Sequence, residues 1–234
     1  MQDLGGVLQT ALKLMLELDD SLLEIIVLSL RVSLTATLLA AVVGFVLGAM
    51  LAVWRFPGRG AILVLLNSLM GLPPVVVGLM VYLLLSRSGP LGGFGLLFSE
   101  SAMIIAQWLL VTPLIAALTR QIVADLMLEY REQLLSLGSS RWTMLQTLLW
   151  EGRFSLLTVM LAGFGRAISE VGAVLIVGGN IMHHTRVMTT AIALETSKGN
   201  LTIALALGMV LITLACMVNA AVAFCKAYAE RLYG

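Results

Sequence analysis

Arg166 and Glu170 lie four positions apart inside an otherwise apolar stretch, residues 154–178. On an unbroken helix that spacing puts both side chains on one face, where pairing lowers the cost of holding charge among apolar neighbours. Two uses fit such a pair: a charged lining that meets an anion, or a structural ion pair that fixes helix packing. His183 and His184 invite a metal reading, but no Cys or carboxylate stands at ligand spacing, and Asn180 and Arg186 are poor company for a cation. Cys216 and Cys225 share one apolar stretch and read as small apolar residues, with neither disulfide nor metal spacing. The sequence holds three lysines and no G-x-x-x-x-G-K-[ST] phosphate loop, so nucleotide chemistry is not expected in this chain. No hydrolase motif or pair of catalytic carboxylates stands out.

The elements that hold these residues are membrane helices. Of 234 residues, 60% are hydrophobic and 12% charged, and the mean hydropathy is +1.03. Soluble domains carry about 25% charged residues, so a water-soluble enzyme could not cover this much apolar surface. A net charge of +1 without a basic block argues against a nucleic-acid partner. A crossing helix needs about 20 apolar residues. Five stretches qualify, at 22–53, 61–85, 102–123, 154–178 and 201–228. Strand alternation is missing, so the expected fold is all-α. Residues 1–20 are too short and polar to span and fit an interfacial amphipathic helix. Arg31 interrupts the first span two turns after Glu24 and is expected to snorkel to the interface. Pro73-Pro74 removes two backbone donors inside the second span, which predicts a kink. Gly44 and Gly48 form a GxxxG pair that allows close helix contact. With the N-terminus outside and the C-terminus inside, eight Lys and Arg fall on the inner loops and four on the outer ones.

The longest polar segment, 124–153, reads as helix, tight turn, helix. Gly138 suits the left-handed residue that ends a helix, and Ser139 or Ser140 suits the cap of the next. The segment is either a solvated connector or a lever that fits a groove on a cytoplasmic partner.

Here the sequence resembles a known family. Glu132-Gln133-Leu134-Leu135-Ser136-Leu137-Gly138 is similar to the E-A-A-x-x-x-G motif of ABC importer permeases, with Gln133 and Leu134 in place of the alanines and Glu151 where the family carries proline. Gly165 to Ala173, followed by Gly178-Gly179-Asn180, resembles the corresponding span of molybdate and tungstate permeases. Gly71-Leu72-Pro73-Pro74-Val75-Val76-Val77-Gly78, the run Thr185 to Ile192 and the run Leu194 to Asn200 resemble the tungstate branch. The resemblance implies a type I importer fold with a cytoplasmic coupling helix, in a transmembrane domain over 22–230. It implies a homodimer in the cytoplasmic membrane of a bacterium or archaeon, surrounded by lipid. ATP would bind separate ATPase subunits, an oxyanion-binding protein would dock outside, and no cofactor would bind this chain. It implies ATPase contacts at Glu129, Glu132, Gln133, Leu134, Leu137, Gly138 and Ser139. It places Arg166, Ser169, Glu170, Gly172, Pro73 and Pro74 beside the translocation path, and Arg87, Asn180, His183, His184 and Arg186 on the outer face. Tungstate is the cargo this implies; molybdate or another oxyanion is the alternative, and a stand-alone secondary carrier is the rival from another class.

Overall fold

A computed structural model describes residues 20–233 of the chain. The amphipathic helix expected over 1–20 lies, apart from Asp20, outside the described residues. Every long element is an α-helix: α1 (Asp20–Val53), α2 (Arg59–Met70), α3 (Pro74–Leu85), α4 (Glu100–Ser136), α5 (Arg141–Glu151), α6 (Arg153–Ile168), α7 (Gly172–Gly178), α8 (Met188–Ser197) and α9 (Leu201–Tyr233). A 3₁₀ turn covers Gly92–Phe94.

Three of these, over Leu22–Val53, Glu100–Ser136 and Leu201–Phe224, are long and apolar enough to cross a membrane unbroken. The other two apolar stretches are broken helix pairs, α2 with α3 and α6 with α7, so the described residues hold three crossings, or up to five if each pair counts as one. The second stretch is thus interrupted rather than kinked. Gly71 closes α2, Pro73 is extended at φ −60° and ψ 125°, and Pro74 opens α3. Proline disfavours helical geometry in the residue before it and is well suited to a first helical turn, where its missing N–H costs nothing. The third stretch differs in the other direction. α4 runs past residue 123 to Ser136 as one helix, because residues 114–137 contain no Gly or Pro and are rich in Leu, Ala, Glu, Gln and Arg. The first half of the expected loop is therefore the end of a long helix.

The chain divides into two compact units. The first gathers residues 20–35, 73–107 and 167–218. Within it α3 packs along α7, and Tyr82 and Phe98 meet edge to face at 6.2 Å between centroids. Ser29 ties two distant segments together: its hydroxyl donates to the Ile25 carbonyl at 2.6 Å and accepts from the Met188 N–H at 2.8 Å. The second unit gathers 36–72, 108–166 and 219–233. Here the GxxxG face lies against α4: a Cβ at Gly44 would stand 2.8 Å from Ile115 Cγ2, and one at Gly48 2.8 Å from Thr119 Cβ. The small residues let the two backbones approach as that spacing predicts.

Candidate functional site

The turn at Gly138 is built by its neighbours in the second unit. Glu129, Glu132 and Gln133 are exposed on the last turns of α4. Gly138 has φ +69°, its N–H reaches the Leu135 carbonyl at 3.0 Å, and the Ser139 N–H reaches the Leu134 carbonyl at 3.0 Å. That pattern satisfies the carbonyls a helix end leaves open and requires the left-handed region at 138. Ser140, not Ser139, caps α5: its hydroxyl accepts from the Thr143 N–H at 3.1 Å. Leu134 corrects the expectation of an outward contact. It is buried with Ala49, Val53, Val123, Met144, Leu145 and Leu148, because it lies on the face of α4 that α5 folds back onto. Leu137, one residue before the turn, is 79% exposed. The motif thus combines an anchor at 134 with a protruding apolar tip at 137, and the Gly bend just beyond them turns the chain from α4 into α5.

The charged pair differs from its expected form. α6 ends at Ile168, so Arg166 and Glu170 do not share a face of one helix. Arg166 is exposed in the last turn of α6, Ser169 is exposed beyond it, and Glu170 is buried at 8% exposure. The Glu170 carboxylate turns forward and accepts from the Ala173 N–H at 3.2 Å, satisfying an orphan donor at the start of α7. Its backbone carbonyl accepts from the Thr189 hydroxyl at 2.8 Å. Gly172 fits against α3, where a Cβ would stand 2.7 Å from Val75 Cγ2. Pro74, at the start of the same helix, is half-buried, and Pro73 is exposed. Within the first unit the start of α3 and the start of α7 therefore sit side by side, joined by close packing.

The loop before α8 gathers the remaining predicted residues. Asn180 and His183 are in the left-handed region at φ 51° and 59°. Asn180 Nδ2 donates to the Thr190 carbonyl at 3.4 Å. The Arg186 guanidinium, half-buried, reaches the Asn180 carbonyl at 3.5 Å. His183 Nδ1 meets Glu24 Oε2 at 2.6 Å, and His184 is exposed beside it. Arg31, largely exposed, pairs with Glu100 at 3.5 Å. Arg87 is exposed just after α3. At the end of α8 the Lys198 ammonium, 2.9 Å from Glu195, holds that mostly covered carboxyl below its ordinary value of 4.5; burial opposes the shift and Asn200 Nδ2, at 3.1 Å, supports it.

Several structural residues were not visible from spacing. Ser29 and Met188 are 159 positions apart. So are Glu24 and His183. Gln107 donates to the Ala167 carbonyl at 3.0 Å across 60 positions. Polar residues inside an apolar stretch were the available signal, and they marked positions without naming partners.

No family model matches the chain. Curated proteins do. It is 40% identical over 222 residues to the tungstate uptake system permease protein of Peptoclostridium acidaminophilum, covering 95% of this chain and 97% of that protein. It is 40% identical over 204 residues to a probable anion ABC transporter permease protein of Haloferax volcanii, covering 85% and 88%. It is 37% identical over 209 residues to the tungstate uptake system permease protein of Campylobacter jejuni, covering 89% and 87%. Such identity over almost the whole length joins this helical, multi-pass membrane chain to permease subunits. The chain belongs to the anion ABC transporter permeases and is a transport subunit, not an enzyme.

Proposed function

We propose that the chain is the permease of an ATP-driven tungstate importer. The observation that carries this reading is near full-length similarity to tungstate uptake permeases, and the sequence motifs quoted above point the same way. Two ATPase subunits dock at the Gly138 turn, through Glu129, Glu132, Gln133, Leu137 and Ser139, with Leu134 anchoring the turn from behind. An oxyanion-binding protein delivers cargo on the opposite side, at the face carrying Arg87, Asn180, His183, His184 and Arg186. The N-terminus lies outside and the C-terminus inside, in keeping with the distribution of Arg and Lys.

Two copies of the chain enclose the path, since the three to five crossings among the described residues are few to surround a hydrated ion. α2 buries none of its residues within one chain, which suits packing against a second copy or against lipid. Arg166 supplies positive charge where a dianion passes, and the segment Ser169, Glu170 and Gly172, with Pro73 and Pro74, forms joints at which helices reorient. ATP-driven closure of the ATPases pushes the lever at 137–138 and changes which side of the path is open. Tungstate is moved without covalent change.

Cells lacking the gene for this chain test the cargo. Restoring the gene should restore tungstate uptake. Restoration of molybdate uptake with no effect on tungstate would replace tungstate by the alternative cargo.

A further inference from the structure

A cavity of about 370 Å³ in the second unit is lined by Arg55, Arg59, Arg131 and Arg141, with Ser139 beside them and no carboxylate in its wall. The Arg59 Nε is engaged by the Leu51 carbonyl at 2.6 Å. Arg55, Arg131 and Arg141 are exposed, and among the described residues none of the three forms an ion pair. Like charges converging without a counter-charge repel one another unless an anion stands between them. Guanidinium groups suit a phosphate-type oxyanion because they offer paired donors in a fixed fork.

The rest of the wall indicates where that anion comes from. Ala52 and Val53 line one side, and they form the last turn of the first unbroken apolar stretch, Leu22–Val53. The cavity therefore straddles the level at which an apolar span gives way to charge. A free ion needs no apolar wall there; a phospholipid presents a phosphate and a glycerol-acyl junction at that level. We propose that this cavity is a binding site for the phosphate group of an anionic phospholipid. Bound there, the phosphate bridges the α1–α2 link, through Arg55, to both sides of the Gly138 bend, through Arg131 and Arg141. The lipid thereby stiffens the lever on which coupling depends. The proposal is independent of which oxyanion is carried.

The test uses the full-length chain purified in detergent, without ATPase subunits. Its thermal unfolding midpoint is followed while short-chain phosphatidylglycerol or short-chain phosphatidylcholine is added. Phosphatidylglycerol should raise the midpoint and phosphatidylcholine should not. Arg55→Gln and Arg141→Gln should each weaken the apparent phosphatidylglycerol affinity about fivefold, the effect of one arginine charge near a lipid surface. Because both side chains are exposed and their charges repel, neither variant should fall below the wild-type midpoint without lipid. Arg131→Lys, which keeps the charge, should lose less affinity than Arg131→Gln and guards against a misfolded variant. An equal phosphatidylglycerol effect in wild type and the Gln variants would overturn the proposal. So would an equal rise with millimolar inorganic phosphate or tungstate alone, which would make this a free-oxyanion site. So would the absence of any phosphatidylglycerol effect in the wild type.

Discussion

Gly78 lies so close to Ala173 that a Cβ on the glycine would stand 2.7 Å from the Ala173 Cα and 3.1 Å from its carbonyl oxygen. The obstacle is backbone, which cannot swing aside as a side-chain tip can. This contact locks α3 to α7 within the first unit.

Gly78→Ala should therefore destabilise the protein by about 1–3 kcal/mol, the usual cost of overpacking a tight contact. Gly208→Ala is the control, since its Cβ would meet no atom within 4 Å. Thermal unfolding of the detergent-purified chain checks the pair. Equal midpoints would mean that α3 and α7 are not held as closely as described.

At Gly138 conformation alone decides. No atom lies within 4 Å of where its Cβ would be, and φ is +69°. Left-handed geometry costs an ordinary L-residue roughly 1–2 kcal/mol, and Asn tolerates it better. Gly138→Val should insert normally yet lose most ATP-driven uptake, while Gly138→Asn should keep most of it. Membrane protein levels by immunoblot, read beside tungstate uptake, separate misfolding from uncoupling. Equal uptake in both variants would remove the bend from the coupling mechanism.

Glu170 should act first as a cap. Glu170→Ala leaves the Ala173 N–H without its acceptor and should cost about 1 kcal/mol. Glu170→Gln retains an acceptor oxygen and should keep most of that stability. The comparison is made by thermal unfolding. An equal fall in both variants would show that the carboxylate charge, not the acceptor geometry, supports the start of α7.

Much of this was readable from the chain, and what was not has identifiable causes. Apolar stretches marked each long helix because a lipid-facing helix carries its signal within its own 20 residues. Gly138 was readable because a left-handed helix end has a residue preference of its own. The extent of α4 was not, since a composition change from apolar to charged at residue 124 marks the end of a hydrophobic stretch and not the end of a helix. The Arg166–Glu170 spacing implied a shared face only if the helix continued, and Ser169-Glu170 gave no Pro or Gly warning that it stops at Ile168. Glu24 and Arg31, near each other in sequence, take their partners His183 and Glu100 from elsewhere in the first unit. Such pairings depend on tertiary placement that one sequence does not encode locally.

A pH effect follows at Glu195. Its folded value lies below the ordinary 4.5 chiefly because of Lys198. A lowered carboxyl stabilises the fold fully above the unfolded value and loses that contribution as pH falls through the folded one. Lys198 is half exposed, so the effect should be a few tenths to about 1 kcal/mol. Glu195→Gln should flatten the fall of the unfolding midpoint below about pH 4.5 and lower the midpoint slightly at pH 7. Parallel pH curves for the variant and the wild type would remove the pair from the stability of α8.

As proposed, the chain is a path and a lever driven by ATPases on other polypeptides. Proteoliposomes containing the chain with its ATPase subunits and oxyanion-binding protein should accumulate tungstate only when ATP is hydrolysed on the ATPase side. Vesicles containing the chain alone should stay empty. Tungstate flux through the chain alone, with no nucleotide consumed, would contradict the account.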